Sequence, residues 1–211
     1  MKKLKISDFD ILKQFDKIIV TGPPRSGTTI SGLILANELN YKFVDETFYD
    51  GNNLKKFTWF LGYPNRKMVI QNTSFTRDLH ILSRFYSFAI VLIRRNIKDI
   101  LDSFENSKKF PKDKLSSPGM FTSIDEEAQK IIGKHYNMKE DQTLPEVIYS
   151  CIESNMCLMD QDKLFELNYE DLSNNKLFVK KEDRRKNFNH IKQVKVDDPH
   201  YLSTKMGVMV L

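Results

Sequence analysis

Residues 18–29 read Ile-Ile-Val-Thr-Gly-Pro-Pro-Arg-Ser-Gly-Thr-Thr: an apolar run, a glycine loop and the opening of a helix. No other feature constrains the fold as much, because a strand that turns through glycines into a helix N-terminus presents backbone N–H groups to an anion. Gly22 and Gly27 are spaced as in the nucleotide-binding P-loop, but Thr28 stands where that loop carries the lysine for the β/γ-phosphates. The backbone grip survives the change, since the helix end supplies N–H donors and partial positive charge by itself. Arg25, Thr28 and Thr29 add side-chain donors. Such a loop suits a phosphate ester bearing a transferable group, with less need for a magnesium-bound triphosphate.

A second anion site is legible further along, where the apolar run Ala89–Ile93 ends in Arg94-Arg95-Asn96. Asn96 is placed to cap a helix, with Asp99 three residues in. Ile97, Ile100, Leu101 and Phe104 then follow the spacing of a core-facing stripe. Ser103 and Asp99 lie on the flank of that stripe. The spacing therefore predicts that Arg95, at the strand tip, and Ser103, two turns along, grip one anion together. Two phosphate grips on adjacent strand ends imply a nucleoside phosphorylated at both ends, and 3′-phosphoadenosine 5′-phosphosulfate (PAPS) is such a ligand.

These residues resemble the PAPS-dependent sulfotransferase family. Pro24-Arg25-Ser26-Gly27-Thr28-Thr29 is similar to that family's 5′-phosphosulfate loop, and Arg95 with Ser103 to its 3′-phosphate motif. Phe165-Glu166-Leu167-Asn168-Tyr169-Glu170-Asp171-Leu172 resembles the strand and Tyr-Glu-Asp-Leu turn that follow in family members. The resemblance implies a three-layer α/β/α fold with a central parallel sheet of P-loop type. It also implies PAPS as donor, 3′,5′-ADP as product and no metal. Residues 24–29 would hold the 5′-phosphosulfate, Arg95 and Ser103 the 3′-phosphate, and Tyr169 would contact the adenine. Many family members carry a lysine at the end of the third strand of the motif set, beside the leaving oxygen; here that strand ends Ile70-Gln71-Asn72-Thr73, and Arg25 is the candidate replacement.

With 211 residues the chain can bury a sizeable core, and a single domain over 1–211 is the simplest fit. A net charge of +5 suits nucleic acid, a membrane surface or a small polyanion, and is equally compatible with a solvated basic surface. The motifs select the small polyanion, so neither nucleic acid nor membrane is expected as partner. Basic residues crowd the stretch from Lys176 to Lys195, which reads either as a lid over the 3′-phosphate, within a segment 174–211, or as an exposed charged tail. Cys151 and Cys157 suggest neither a redox pair nor a metal site. The opening residues lack a leader-like apolar stretch, and no run approaches the ~20 apolar residues of a membrane span, so a soluble cytoplasmic protein is expected.

Strands are expected at 17–21, 41–45, 68–72, 89–94 and 164–168, with helices at 28–39, about 77–85, from 97, 124–132 and 145–159. Ile30, Leu33, Ile34 and Leu39 form the inner face of the first helix, and residues 108–119 read as a loop. Strands alternating with helices indicate a parallel sheet covered on both faces.

Sulfuryl transfer needs aligned oxygens, charge stabilisation and a base for the acceptor. Glu46 lies just beyond the strand at 41–45, at the sheet edge where ligands of open α/β folds sit. In tyrosylprotein sulfotransferases a glutamate followed by threonine stands at a similar distance after the loop arginine. That resemblance makes Glu46 the candidate base and Arg25 its catalytic partner, with Asp45 as fallback. His80 and His135 are alternative bases. Phe48, Tyr49, Phe57, Trp59, Phe60 and Tyr63 either line an acceptor pocket or pack in the core. The leading function is sulfuryl transfer to a hydroxyl or amine of a small-molecule or peptide acceptor. The alternatives are a P-loop nucleoside or nucleotide kinase and a non-catalytic nucleotide-binding module.

Overall fold

Six parallel strands form one sheet in a computed structural model that describes residues 1–49, 53–105 and 143–178. They are β1 (Lys2–Leu4), β2 (Lys17–Thr21), β3 (Lys42–Val44), β4 (Met68–Gln71), β5 (Ala89–Arg94) and β6 (Leu164–Asn168), in the spatial order β1-β6-β5-β2-β4-β3. The helices are α1 (Thr28–Leu39), α2 (Leu54–Gly62), α3 (Leu79–Leu82), α4 (Ile97–Glu105) and α5 (Leu144–Met156).

Alternation along the strands divides the core into two layers. Ile18, Val20, Val91, Ile93 and Phe165 pack on one face with Ile30, Leu33, Ile34 and Leu39 of α1, as the sequence spacing predicts. Ile19, Ile70, Ile90, Leu92 and Leu164 face the other way, against Phe57 and Phe60 of α2, Ile100 of α4 and Ile148 and Ile152 of α5. The fold is thus a three-layer α/β/α sandwich around a parallel sheet, with the glycine loop between β2 and α1. Each fully buried aliphatic side chain contributes about 1.5–3 kcal/mol of transfer free energy, so the two layers and not helix propensity hold the sheet.

Local chemistry sets the element ends. Asn40 takes a left-handed φ of 60° after α1, and the N–H of Tyr41 donates to the Ala36 carbonyl at 2.8 Å. Thr143 and Glu146 form a capping box at the start of α5, with Pro145 in its first turn. Asn96 caps α4 as expected, its Oδ1 accepting from the Lys98 N–H at 2.9 Å.

Departures from the sequence reading include α2 and a 3₁₀ helix at Ile6–Gln14, neither expected from the sequence, and two elements with weak patterns. The strand Lys2–Leu4 was not anticipated; it pairs in parallel with Phe165–Leu167 at the sheet edge, and only Leu4 of its three residues is buried. The helix expected over about 77–85 is a 3₁₀ turn at Thr76–Asp78 followed by the single turn of α3. There the Leu82 carbonyl receives the N–H groups of both Phe85 and Tyr86, which ends the helix. The expected loop at 108–119, the helix at 124–132, His135 and the basic stretch beyond residue 178 lie outside the described residues. Among the described residues no helix is long and apolar enough to cross a membrane.

Candidate functional site

Because every strand pairing is parallel, the strand C-termini share one sheet edge. The loops leaving β2, β3, β4, β5 and β6 carry Gly22–Gly27, Glu46, Gln71–Ser74, Arg95 and Tyr169 to that edge. β2 and β5 are direct neighbours, so the glycine loop and the Arg94-Arg95 tip stand side by side, as the sequence predicts.

The loop is shaped by two glycines and one strained arginine. Gly27, the N-cap of α1, has φ +94°, and a Cβ there would lie 2.3 Å from the Tyr169 ring. At Gly22, φ +152°, a Cβ would meet Ser26 Oγ at 2.9 Å and the Ile93 carbonyl at 3.0 Å. Arg25 holds a left-handed φ of 72°, a conformation that costs a non-glycine residue on the order of 1 kcal/mol or more. What fixes it is visible: Arg95 Nη1 donates to the Arg25 carbonyl at 2.7 Å, and Arg25 Nε donates to Ser103 Oγ at 3.1 Å. The two grips inferred from the sequence are therefore joined through Arg25. Ser103 meets Arg25's side chain and Arg95 its main chain, instead of the two closing on each other.

Charge and desolvation set this corner apart. Burial lowers the Arg25 pKa, and the neighbouring Arg95 cation lowers it further. Among the described residues Arg25 makes no ion pair, its guanidinium being held by the neutral Ser103 hydroxyl. Arg94 is different. Burial works against its charge, but bonds to Glu166, at 2.8 Å, and to Glu153 outweigh that and raise its pKa above the ordinary value. Ser26 Oγ is fully buried in the hollow against Gly22 and has no hydrogen-bond partner among the described residues. Thr28 is buried at the helix start, whereas Pro24 and Thr29 are half-buried on the rim.

Glu46 opens a 3₁₀ turn, Glu46–Tyr49, directly after β3. Its Oε1 accepts from the Thr73 N–H at 2.7 Å and the Ser74 N–H at 2.8 Å, and from both hydroxyls. Its Oε2 accepts from Thr73 Oγ1 at 2.7 Å and Gln71 Nε2 at 3.1 Å. The same Gln71 nitrogen donates to Thr28 Oγ1 at 3.4 Å, so one amide spans the carboxylate and the glycine loop. Gln71 Oε1 completes the clasp by accepting the Glu46 N–H at 3.1 Å. Asp45, the fallback, is buried, and its Oδ1 accepts from the Thr47 N–H and hydroxyl. His80 bonds the Arg77 carbonyl through Nδ1 on the short α3.

No family model matches the chain, and no curated protein matches it in sequence. Among solved structures, a shikimate kinase from Bacteroides thetaiotaomicron aligns with 85% of this chain and 96% of its own, at 13% identity and a TM-score of 0.40. A likeness that distant decides nothing about activity.

Three groups in the site had no individual sequence signal. Gln71 was visible only as the residue in the expected lysine's neighbourhood. Thr73 and Ser74 were visible only as a hydroxyl pair after an apolar run. Tyr149, on α5, donates its hydroxyl to the Ile93 carbonyl at 2.9 Å and accepts from the Arg95 N–H at 3.1 Å, beneath the Arg94 guanidinium at 4.6 Å. Tyr169 is where the motif puts it, but its ring is buried: Arg95 lies over it at 4.9 Å and Phe178 packs at 5.0 Å. It is the surface on which Arg95 rests. Of the aromatics between Glu46 and Met68, Tyr49, Phe57 and Phe60 are core, and Trp59 is 42% exposed.

Burial pushes the Tyr149 phenol up to about 12, against the opposing pull of the Arg95 N–H and of Arg94. A phenol that holds its proton more tightly folded than unfolded contributes stability that is complete below the unfolded value of about 10 and is lost as pH rises through 12. Tyr41 and Tyr49 are raised as well, so the test is a difference. Between about pH 9 and pH 12, wild type is expected to lose about 2 kcal/mol more than Tyr149→Phe, read from urea midpoints.

Proposed function

We propose that this chain is a group-transfer enzyme that moves a sulfuryl group from PAPS to a hydroxyl or amine of a small-molecule or peptide acceptor. The observation that carries the reading is the convergence at one sheet edge of two guanidiniums of like sign, Arg25 and Arg95. They stand beside a glycine cradle whose buried Ser26 hydroxyl has no acceptor among the described residues. An anion in the loop supplies that acceptor, offsets the repulsion between the arginines and meets the N–H groups at the start of α1. The cradle has no room for a Cβ at Gly27 or Gly22, which fits a site that brings backbone against a phosphate.

The bound donor supplies a sulfuryl group whose bond to the bridging phosphate oxygen breaks as the acceptor's oxygen or nitrogen bonds to sulfur. The chain's own task is positioning, charge stabilisation and removal of one proton. Glu46 takes that proton on Oε2, the oxygen held by a rotatable hydroxyl and an amide; Oε1 is fixed by two backbone N–H groups. Arg25 faces the sulfated end, and Arg95 with Ser103 faces the ribose phosphate.

A magnesium-dependent phosphotransfer is the second reading. Its support is the Glu46 carboxylate at a strand end, linked through Gln71 to the glycine loop, since an acidic strand end holds magnesium in P-loop kinases; Thr28 in place of the loop lysine tells against it. Calorimetric titration separates the two. The sulfotransfer reading expects 3′,5′-ADP to bind at least tenfold more tightly than AMP, and ATP with magnesium to bind weakly. Arg95→Ala is expected to weaken 3′,5′-ADP roughly 10- to 100-fold, the worth of a charge-assisted contact, while leaving AMP nearly unchanged. Equal binding of 3′,5′-ADP and AMP by wild type overturns it.

A further inference from the structure

We propose that Tyr149 is a positioning residue for Arg95: its hydroxyl replaces the missing strand partner where the glycine loop peels away from β5, and so fixes the direction in which Arg95 leaves the sheet. The inference deepens the nucleotide reading above and rests on it.

The argument begins with the ladder. β2 and β5 pair from Ile18 and Ala89 to Thr21 and Leu92, and there the register stops. The residue after β2 is Gly22, which faces the Ile93 carbonyl but turns away with φ +152°. A parallel strand edge left at that point exposes the carbonyl of Ile93 and the N–H of Arg95, two groups that need partners when buried. Tyr149 satisfies both with one oxygen, donating to the first and accepting from the second.

The phenol is itself fixed, since the side chain is 6% exposed and packs in the core layer formed with α5. Arg94 covers its ring and pairs with Glu153 one turn further along α5. The β5 end is thereby tied to α5 through one side chain, while the Arg95 side chain bridges to the loop carbonyl of Arg25 and lies on Tyr169. A guanidinium meant to read a phosphate needs its backbone held to within a fraction of an ångström, and the phenol is the group that holds it.

The test is the ratio of 3′,5′-ADP to AMP affinity in Tyr149→Phe, titrated well below the unfolding temperature. The expected result is a fall of about tenfold in 3′,5′-ADP affinity with AMP held within about twofold, because one buried hydrogen bond to the Arg95 backbone is gone. Ser150→Ala, at an exposed position of the same helix, is expected to leave the ratio unchanged. A Tyr149→Phe protein that weakens both nucleotides equally, or neither, overturns the assignment. If wild type itself shows no preference for 3′,5′-ADP, the nucleotide reading fails first.

Should Tyr149→Phe not fold, amide hydrogen exchange of wild type decides. The Arg95 N–H is expected to exchange slowly and to slow further with 3′,5′-ADP but not with AMP. Fast exchange, or equal slowing by both nucleotides, overturns the proposal.

Discussion

Gly27→Ala is expected to cost about 2–5 kcal/mol of folding stability and to remove measurable binding of 3′,5′-ADP. Two terms add. An L-residue at φ +94° carries left-handed strain of about 1–2 kcal/mol, and the new methyl lands 2.3 and 2.5 Å from two atoms of the Tyr169 ring. That ring cannot retreat freely, because Arg95 lies on it and Phe178 packs beside it. Relief of the clash must therefore move Arg95 or the first turn of α1, which are the two halves of the proposed anion site. In a Tyr169→Ala background the steric share disappears, so the double-mutant cycle should show about 1–3 kcal/mol of coupling from chemical denaturation. Additive costs would mean that the ring yields and that the loop is not braced by it.

Glu46→Gln should lower turnover about 10²- to 10⁴-fold at saturating donor while leaving the dissociation constant for 3′,5′-ADP within about twofold. The substitution keeps the shape of the side chain. Its amide oxygen takes the place of Oε1 and accepts from the Thr73 and Ser74 N–H groups, and its NH₂ takes the place of Oε2. There it meets Thr73 Oγ1, which can turn to accept, and Gln71 Nε2, which cannot. One mismatched pair costs on the order of 1–2 kcal/mol, enough to lower the melting temperature without unfolding the site. A variant that loses stability and nucleotide affinity together, with turnover hardly changed, would make Glu46 a brace for the β4 loop and not a base. Absence of turnover in wild type with hydroxyl and amine acceptors would favour a binding module.

The elements that could be read from the sequence are those in which pattern and burial coincide. Lys17–Thr21, Ala89–Arg94 and Leu164–Asn168 are near-continuous apolar runs because their strands are covered on both faces, and α1 begins and ends at residues with clear turn chemistry. Lys2–Leu4 left no such trace: as an edge strand of three residues it needs only Leu4 inside, and its lysines face water.

Within the site, the residues held by local geometry were legible. Gly27 needs a positive φ, Arg95 sits at a strand tip, and Glu46 follows a strand. Gln71, Thr73, Ser74 and Tyr149 were not, because their importance arises from what the fold sets opposite them. A tyrosine on α5 carries no sign that its hydroxyl will complete the end of β5. The convergence on Arg25 was invisible for the same reason, since it depends on how far α4 leans over the loop.

The pairing of Lys2–Leu4 with Phe165–Leu167 brings the two most distant described parts of the chain into one sheet. On a ribosome, the β1 segment must wait unpaired until β6 emerges, after the central strands have been synthesised. Closing so wide a span is entropically slow compared with the local strand pairings, so docking of this margin is expected as the last event of folding. Until then the β6 margin stays open, and a stray extended segment from another molecule can occupy it.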